Sequence, residues 1–434
     1  MILNINKVKM QKYLPVIYRR ILILIFLIPV LIDFLYGYIL SNTNSSLPIG
    51  SIYRGFIIIL MLNSLFRSPF FIKQINYLKV AFFLFIISFI WWLLIENNHY
   101  VVREIEQISR VFYYIIVLYF LHILKNKYSI DFRIYLFKIL IINALISSLF
   151  IIYAYFFDFG VQTYGDYAFG GKSFFKASND LTLSLILGIC ISMFLFIKIN
   201  SLKYIFYAFT IFSGLFFLGT RAGLIGGGLS ISFFLLIFIF SKAQAQNLYR
   251  KILYLVLIIG LLIYSVPFLF KTIYKYSHTI ERYEALLEES PRAKLEFAGM
   301  KVISNRSFQE NLLGEGTVPF GKKVESFYPS NTEYPYGKWV EQDIYDMIGS
   351  YGFILGSFIL LYPLYYLFKA ISFFIKDKSI ETIFLIFSIV LFLAHSFLAG
   401  HALNSPSVAV FIASIFFSVD IYKNKNISIE KQMD

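Results

Sequence analysis

The sequence predicts an all-α, polytopic membrane protein of about twelve transmembrane helices with one large periplasmic loop, and three observations predict it. The apolar content is too high for a soluble globule, apolar runs of membrane-crossing length recur, and Lys and Arg fall in alternate connections. Of 434 residues, 59% are apolar, 20% aromatic and 15% charged, so lipid has to be the solvent. The 39 Lys and Arg against 25 Asp and Glu leave a formal charge of +14. On a soluble chain that excess would suggest nucleic acid, but here the charges flank apolar runs and no nucleic-acid partner is expected. The lone Cys190 lies in an apolar run, which leaves no intrachain disulfide and no redox or zinc site.

The chain opens with Lys7, Lys9, Lys12, Arg19 and Arg20 before an apolar stretch. That stretch continues to Leu40 without a small-x-small cleavage pattern, so it reads as an uncleaved first span rather than a secretory leader. Spans are expected near 21–40, 51–66, 78–95, 107–124, 134–157 and 180–198. A second set is expected near 202–219, 221–240, 252–270, 346–368, 382–399 and 406–422. These runs lack the alternation of barrel strands and are too long for them, so each backbone must satisfy itself as a helix. The second span is short and carries Arg54, yet removing it would break the charge alternation downstream.

Basic groups cluster at the N-terminus and at Arg67/Lys73, Lys125/Lys127/Arg133, Lys198/Lys203, Lys242/Arg250/Lys251, Lys369/Lys376/Lys378 and Lys423/Lys425. The intervening connections, such as 41–50 and 400–406, are nearly free of them, which puts both termini on the cytoplasmic side. The whole chain, 1–434, reads as a single integral membrane domain interrupted by one long extracytoplasmic loop, 271–343, between the ninth and tenth spans. Within that loop Ser290 is a potential N-cap and Pro291 a first helical residue. Leu295, Ala298 and Val302 follow at helical spacing, and Asn305 would end the helix. The Gly- and Pro-rich stretch from Gly314 to Gly337 reads as ordered turns. A second outward loop, 158–180, is rich in Gly, Tyr and Phe and carries Lys172 and Lys176.

Four outward-facing positions could carry chemistry. Arg221 stands in Gly219-Thr220-Arg221-Ala222-Gly223, between two spans with almost no loop, where a guanidinium either snorkels to headgroups or offsets an anion. Arg292 lies in the first turn of the expected loop helix, where unpaired N–H groups add to its charge, although a solvated surface Arg is commoner. Glu341-Gln342-Asp343 precedes the tenth span, followed by Asp346. A carboxylate there could take a proton from a hydroxyl, or could simply cap a helix. His401 in Ala399-Gly400-His401-Ala402-Leu403 sits between the last two spans as an acid, a base or a structural group. Gly226 to Gly228 and the Gly352/Gly356 pair read as sites of close helix packing rather than nucleotide binding.

Four segments carry a family likeness, and they occur in this order: Ser178-Asn179-Asp180-Leu181; the Gly-Thr-Arg221-Ala-Gly turn; the Arg292 helix followed by Leu313-Gly314-Glu315-Gly316; and Glu341-Gln342-Asp343 leading to Tyr351-Gly352-Phe353-Ile354-Leu355-Gly356, with the His401 segment in support. With them the chain resembles the O-antigen ligase and polymerase family of bacterial surface-polysaccharide assembly, over roughly its C-terminal 60%.

The resemblance implies a metal-independent, cofactor-free glycosyltransferase of the bacterial inner membrane, acting at its outer face on undecaprenyl-diphosphate-linked oligosaccharides. Arg221 and Arg292 would bind the diphosphate leaving group. Glu341 or Asp343 would be the first choice of base for the acceptor hydroxyl, with His401 in reserve, and a single displacement would invert the anomeric centre. Ligases of this kind place His in the segment before the tenth span. Acids stand there in this chain, which favours a polymerase of repeat units over a ligase to lipid A core. Membrane lipid and a chain-length regulator protein are the further partners implied. A flippase or transporter is the alternative of another class. It would place ionisable groups in mid-span, where only Asp33 is found, and would show two related halves.

Overall fold

The structure, a computed structural model, describes residues 14–43, 48–68, 76–95, 100–163, 170–240, 291–328 and 336–433. Among them every extended regular element is a helix, and strand geometry is limited to one antiparallel bridge between Gln162 and Gly171. In chain order the helices are α1 Val16–Phe26, α2 Ile28–Asn42, α3 Ile49–Phe66, α4 Asn76–Ile95, α5 Val101–Tyr128, α6 Arg133–Phe156, α7 Ser178–Ile199 and α8 Lys203–Leu218. They continue as α9 Arg221–Phe240, α10 Pro291–Ser304, α11 Phe308–Leu313, α12 Thr317–Phe327, α13 Asp343–Lys376, α14 Ile380–Leu398 and α15 Pro406–Met433.

Among the described residues eight helical segments are long and apolar enough to cross a membrane, with α1 and α2 joined into one of 27 residues. Three shorter apolar helices, Lys79–Leu94, Lys203–Leu218 and Pro406–Tyr422, coincide with three more expected spans. The chain is therefore an all-α, multi-pass protein. The expected span at 252–270 lies outside the described residues, as do Ser290, 271–289 and 329–335 of the long loop.

The chain folds as two compact units. One comprises Met1–Tyr36, Ser45–Asn143 and Pro291–Asp434; the other comprises Gly37–Asn44 and Ala144–Ser290. In the first, α5 packs against α3 and α15, and α13 against α4 and α14. At 28 residues α5 is about 42 Å long, more than the hydrocarbon core needs, so its charged first turns need not lie in lipid. In the second unit α7 packs between α8 and α9. It is apolar on every side, and correspondingly 89% of its spanning window is buried. Small residues let the neighbours close in. A Cβ on Gly214 would stand 2.5 Å from the Ser148 Cβ, and one on Gly226 2.6 Å from Ile186. Gly228, by contrast, faces open space.

The long loop holds the expected helix α10. Leu295, Ala298 and Val302 point into a small core with Phe320, Val324 and Val340. Two further helices follow, of which α12 replaces part of the expected turns. The Ser307/Glu310 capping box starts α11, the N–H of Glu310 bonding the Ser307 hydroxyl at 3.3 Å. The α12 helix forms through Pro319 because a proline in the first turn gives up an N–H with no intrahelical partner to lose. Gly352 is not a simple packing glycine either. With φ of 72° it breaks α13 after its first nine residues, and its Cα closes on Leu312–Gly314.

Candidate active site

In the first unit the beginning of α13, the turn after α14 and the start of α10 converge. Asp343, the first residue of α13, is fully buried. Its Oδ2 accepts the Ser396 hydroxyl at 2.7 Å and the N–H groups of Ala402 at 2.9 Å and Leu403 at 3.1 Å. Asp346, also buried, accepts the Val340 N–H at 2.9 Å. These bonds lock the 399–405 turn and the approach to α13 together. The two turns are close enough that a Cβ on Gly400 (φ 66°) would fall 2.1 Å from the Glu341 carbonyl oxygen. Glu341 at φ 66° and His401 at φ 60° are both non-glycine residues in the left-handed region, a cost the surrounding bonds must support.

Arg292 donates from Nη1 to the Leu398 carbonyl at 2.7 Å and from Nη2 to Ala399 at 3.3 Å, satisfying the open end of α14. Its guanidinium also stands 3.8 Å from the Glu341 carboxylate. Thus four of the five residues singled out from the sequence, Arg292, Glu341, Asp343 and His401, meet at one corner. They differ in accessibility. The side chain of Glu341 is 42% exposed and that of Arg292 36%, whereas Asp343 has none of its surface exposed. The Trp339 ring lies 6.2 Å from His401 and forms a wall of the corner. Among the described residues no three His, Cys, Asp or Glu side chains gather as a metal-binding group.

Arg221 lies in the second unit, as the exposed first residue of α9, three positions after α8 ends. Gly219 at φ 76° makes the tight exit from α8. Thr220 bonds Thr182 of α7 at 2.7 Å, so the Ser178–Leu181 and Gly-Thr-Arg segments meet here. The loop before α7 closes on the same end of α8. Thr163 Oγ1 donates to the Leu218 carbonyl at 2.8 Å and the Gly171 N–H to Phe217 at 2.9 Å. Lys172 of this loop has its pKa lowered by burial.

Three other residues hold the Leu313–Val318 segment of the first unit and were not anticipated. Glu104, buried on α5, accepts the N–H groups of Thr317 at 2.7 Å and Val318 at 2.8 Å, and so caps α12 from more than two hundred positions away. Trp91 and Trp92 donate their indole N–H to the Gly314 and Leu313 carbonyls at 3.1 and 3.2 Å. The Leu313–Gly316 segment is thereby held against Tyr351–Gly352, with the Gly316 N–H on the Ser350 carbonyl at 3.0 Å. The buried Glu315 forms ion pairs with Arg306 and Lys323. Only the Ser-x-x-Glu capping box among these features has a local sequence signature.

No protein-family model matches the chain, and no curated protein matches it.

Proposed function

We propose that this protein is a polymerase of lipid-linked oligosaccharide repeat units, of O-antigen or capsule type, working at the outer face of the bacterial inner membrane. The observation that carries the reading is the corner where Arg292, Glu341, Asp343 and the His401 turn meet. It sets the Arg292 guanidinium 3.8 Å from the Glu341 carboxylate on a strained, preorganised backbone, at the ends of two membrane-length helices.

Glu341 is the general base. It is the accessible carboxylate of the corner, whereas Asp343 spends one oxygen on three donors and acts as a positioning residue. Glu341 takes the proton of the acceptor sugar hydroxyl as that oxygen bonds the anomeric carbon of the growing chain. The bond from the anomeric carbon to the diphosphate oxygen breaks, and the diphosphate leaves with the electron pair, so the configuration inverts. Arg292 uses two N–H groups on backbone carbonyls and keeps the others for the departing oxygens. Arg221, the exposed first residue of α9 in the second unit, is a phosphate-binding guanidinium in its own right. His401 is the reserve proton acceptor.

The test is deletion of the gene in a strain that builds such a polysaccharide. Lipid A core capped with a single repeat is the expected phenotype. Uncapped core with polymer left on undecaprenyl diphosphate would make the protein a ligase, and repeats stalled on the cytoplasmic leaflet would make it a flippase.

A further inference from the structure

A second charged cluster in the first unit is formed by α2, α3 and α5. Arg54 pairs with Asp33, while Arg103 and Arg110 both pair with Glu106. The Ser51 hydroxyl donates to the same Glu106 Oε1 at 2.6 Å. Arg103 also faces Gln107, whose amide oxygen, in the orientation that satisfies both groups, accepts at 2.9 Å. The Arg103 guanidinium lies 4.8 Å from the centre of the Tyr336 ring.

Among the five paired side chains, three guanidiniums share two carboxylates. A guanidinium offers more donors than one carboxylate oxygen can accept, and the hydrogen bonds of Arg54 and Arg110 to described residues each use Nη2 alone. The five charged side chains are between 17% and 27% exposed, so the surplus donors are half-sheltered yet reachable. Arg110 stands nine residues beyond Val101, about 14 Å along α5, and shares its one carboxylate partner, Glu106, with Arg103. Around the cluster the exposed side chains are apolar: Ile52 and Phe56 on α3, and Val102 and Ile105 on α5. An anion that arrives with an apolar tail fits both features.

We propose that this cluster is a binding site for a lipid-borne phosphate, with Arg103 and Arg110 as its principal donors. The site goes beyond the polymerase reading and does not depend on it. A phospholipid headgroup and a prenyl diphosphate share the chemistry, and the test separates them.

The purified full chain, released from neutral detergent into a native mass spectrometer, is titrated with phosphatidylglycerol, with farnesyl diphosphate and with uncharged diacylglycerol. All variants are built on the Arg221→Ala, Arg292→Ala double variant, so that a diphosphate held by either of those arginines does not mask the change. The parent is expected to retain phosphate-bearing probes over diacylglycerol. Arg103→Gln and Arg110→Gln are each expected to weaken that retention about tenfold, the worth of one charge-assisted contact. Weakening for farnesyl diphosphate alone identifies a diphosphate carrier, and weakening for phosphatidylglycerol identifies a headgroup. Glu106→Gln removes the carboxylate that Arg103 and Arg110 share and is expected to tighten retention, a gain that helix pinning alone would not produce. Should Arg110→Gln fail to fold, Arg103→Lys, which keeps charge but loses the planar fork, is expected to weaken retention about threefold. Unchanged retention in the monodisperse Arg103 variants overturns the proposal.

Discussion

Asp343 Oδ2 accepts the Leu403 N–H at 3.1 Å across sixty positions of sequence, and it accepts Ala402 and Ser396 as well. Asp343→Ala would leave three buried donors without an acceptor, and the expected cost is about 3–5 kcal/mol. Asp343→Asn keeps an acceptor and is expected to cost less than half as much. Thermal unfolding of the purified chain in detergent separates the two, and equal losses would contradict the anchoring role.

Glu341 is accessible and makes no comparable set of bonds, so Glu341→Gln is expected to leave the unfolding temperature within a degree or two while product falls about a hundredfold or more. His401→Ala is expected to lower product less than about tenfold. Polysaccharide length on gels and protein abundance by immunoblot read both effects. A deeper loss at His401 than at Glu341 would move the base to the imidazole.

Gly400→Ala would drive a Cβ to 2.1 Å from the Glu341 carbonyl at a φ of 66°, so the backbone must shift. Strain of about 1–3 kcal/mol and a disordered corner are expected, with product lost although the protein still inserts. Gly228→Ala meets nothing within 4 Å inside α9 and is expected to be neutral or stabilising by about 0.5–1 kcal/mol. Similar outcomes for the two alanines would show that the close approach at Gly400 does not matter.

Burial alone would raise the Glu310 carboxyl, but the Ser307 hydroxyl and N–H and the Lys323 ammonium outweigh it and hold its pKa down at about 2. A depressed carboxylate stabilises the fold above its unfolded value of about 4.3, and that contribution is lost as pH falls from there toward 2. Pepsin cleavage within 307–327 is therefore expected to rise as pH drops through that window. Lys323→Gln is expected to move the onset to higher pH, and an onset that does not move would count against the ion pair.

The helical, multi-pass character was legible because apolar runs of span length leave lipid-crossing helices as the only economical backbone solution. The α10 helix was legible because Leu295, Ala298 and Val302 repeat at helical spacing. The α12 helix was not, since its cap is a carboxylate on α5 and nothing near Thr317 announces it. The break in α13 was hidden for a related reason. Gly352 looks like any packing glycine until Gly314 is brought against it. Sequence singled out Arg292, Glu341, Asp343 and His401, but it could not rank the two acids, because burial and hydrogen bonding alone distinguish them. The Arg54, Arg103 and Arg110 cluster escaped notice because its members come from separate helices and share no motif.

The purified chain in proteoliposomes, supplied with undecaprenyl-diphosphate-linked repeat units in buffer containing a metal chelator, provides the most direct measurement. Lengthening of the lipid-linked glycan into a ladder, abolished by Arg292→Ala and by Arg221→Ala, is the predicted result. Repeats that remain single with the wild-type chain, or a ladder that both arginine variants build normally, would contradict the account.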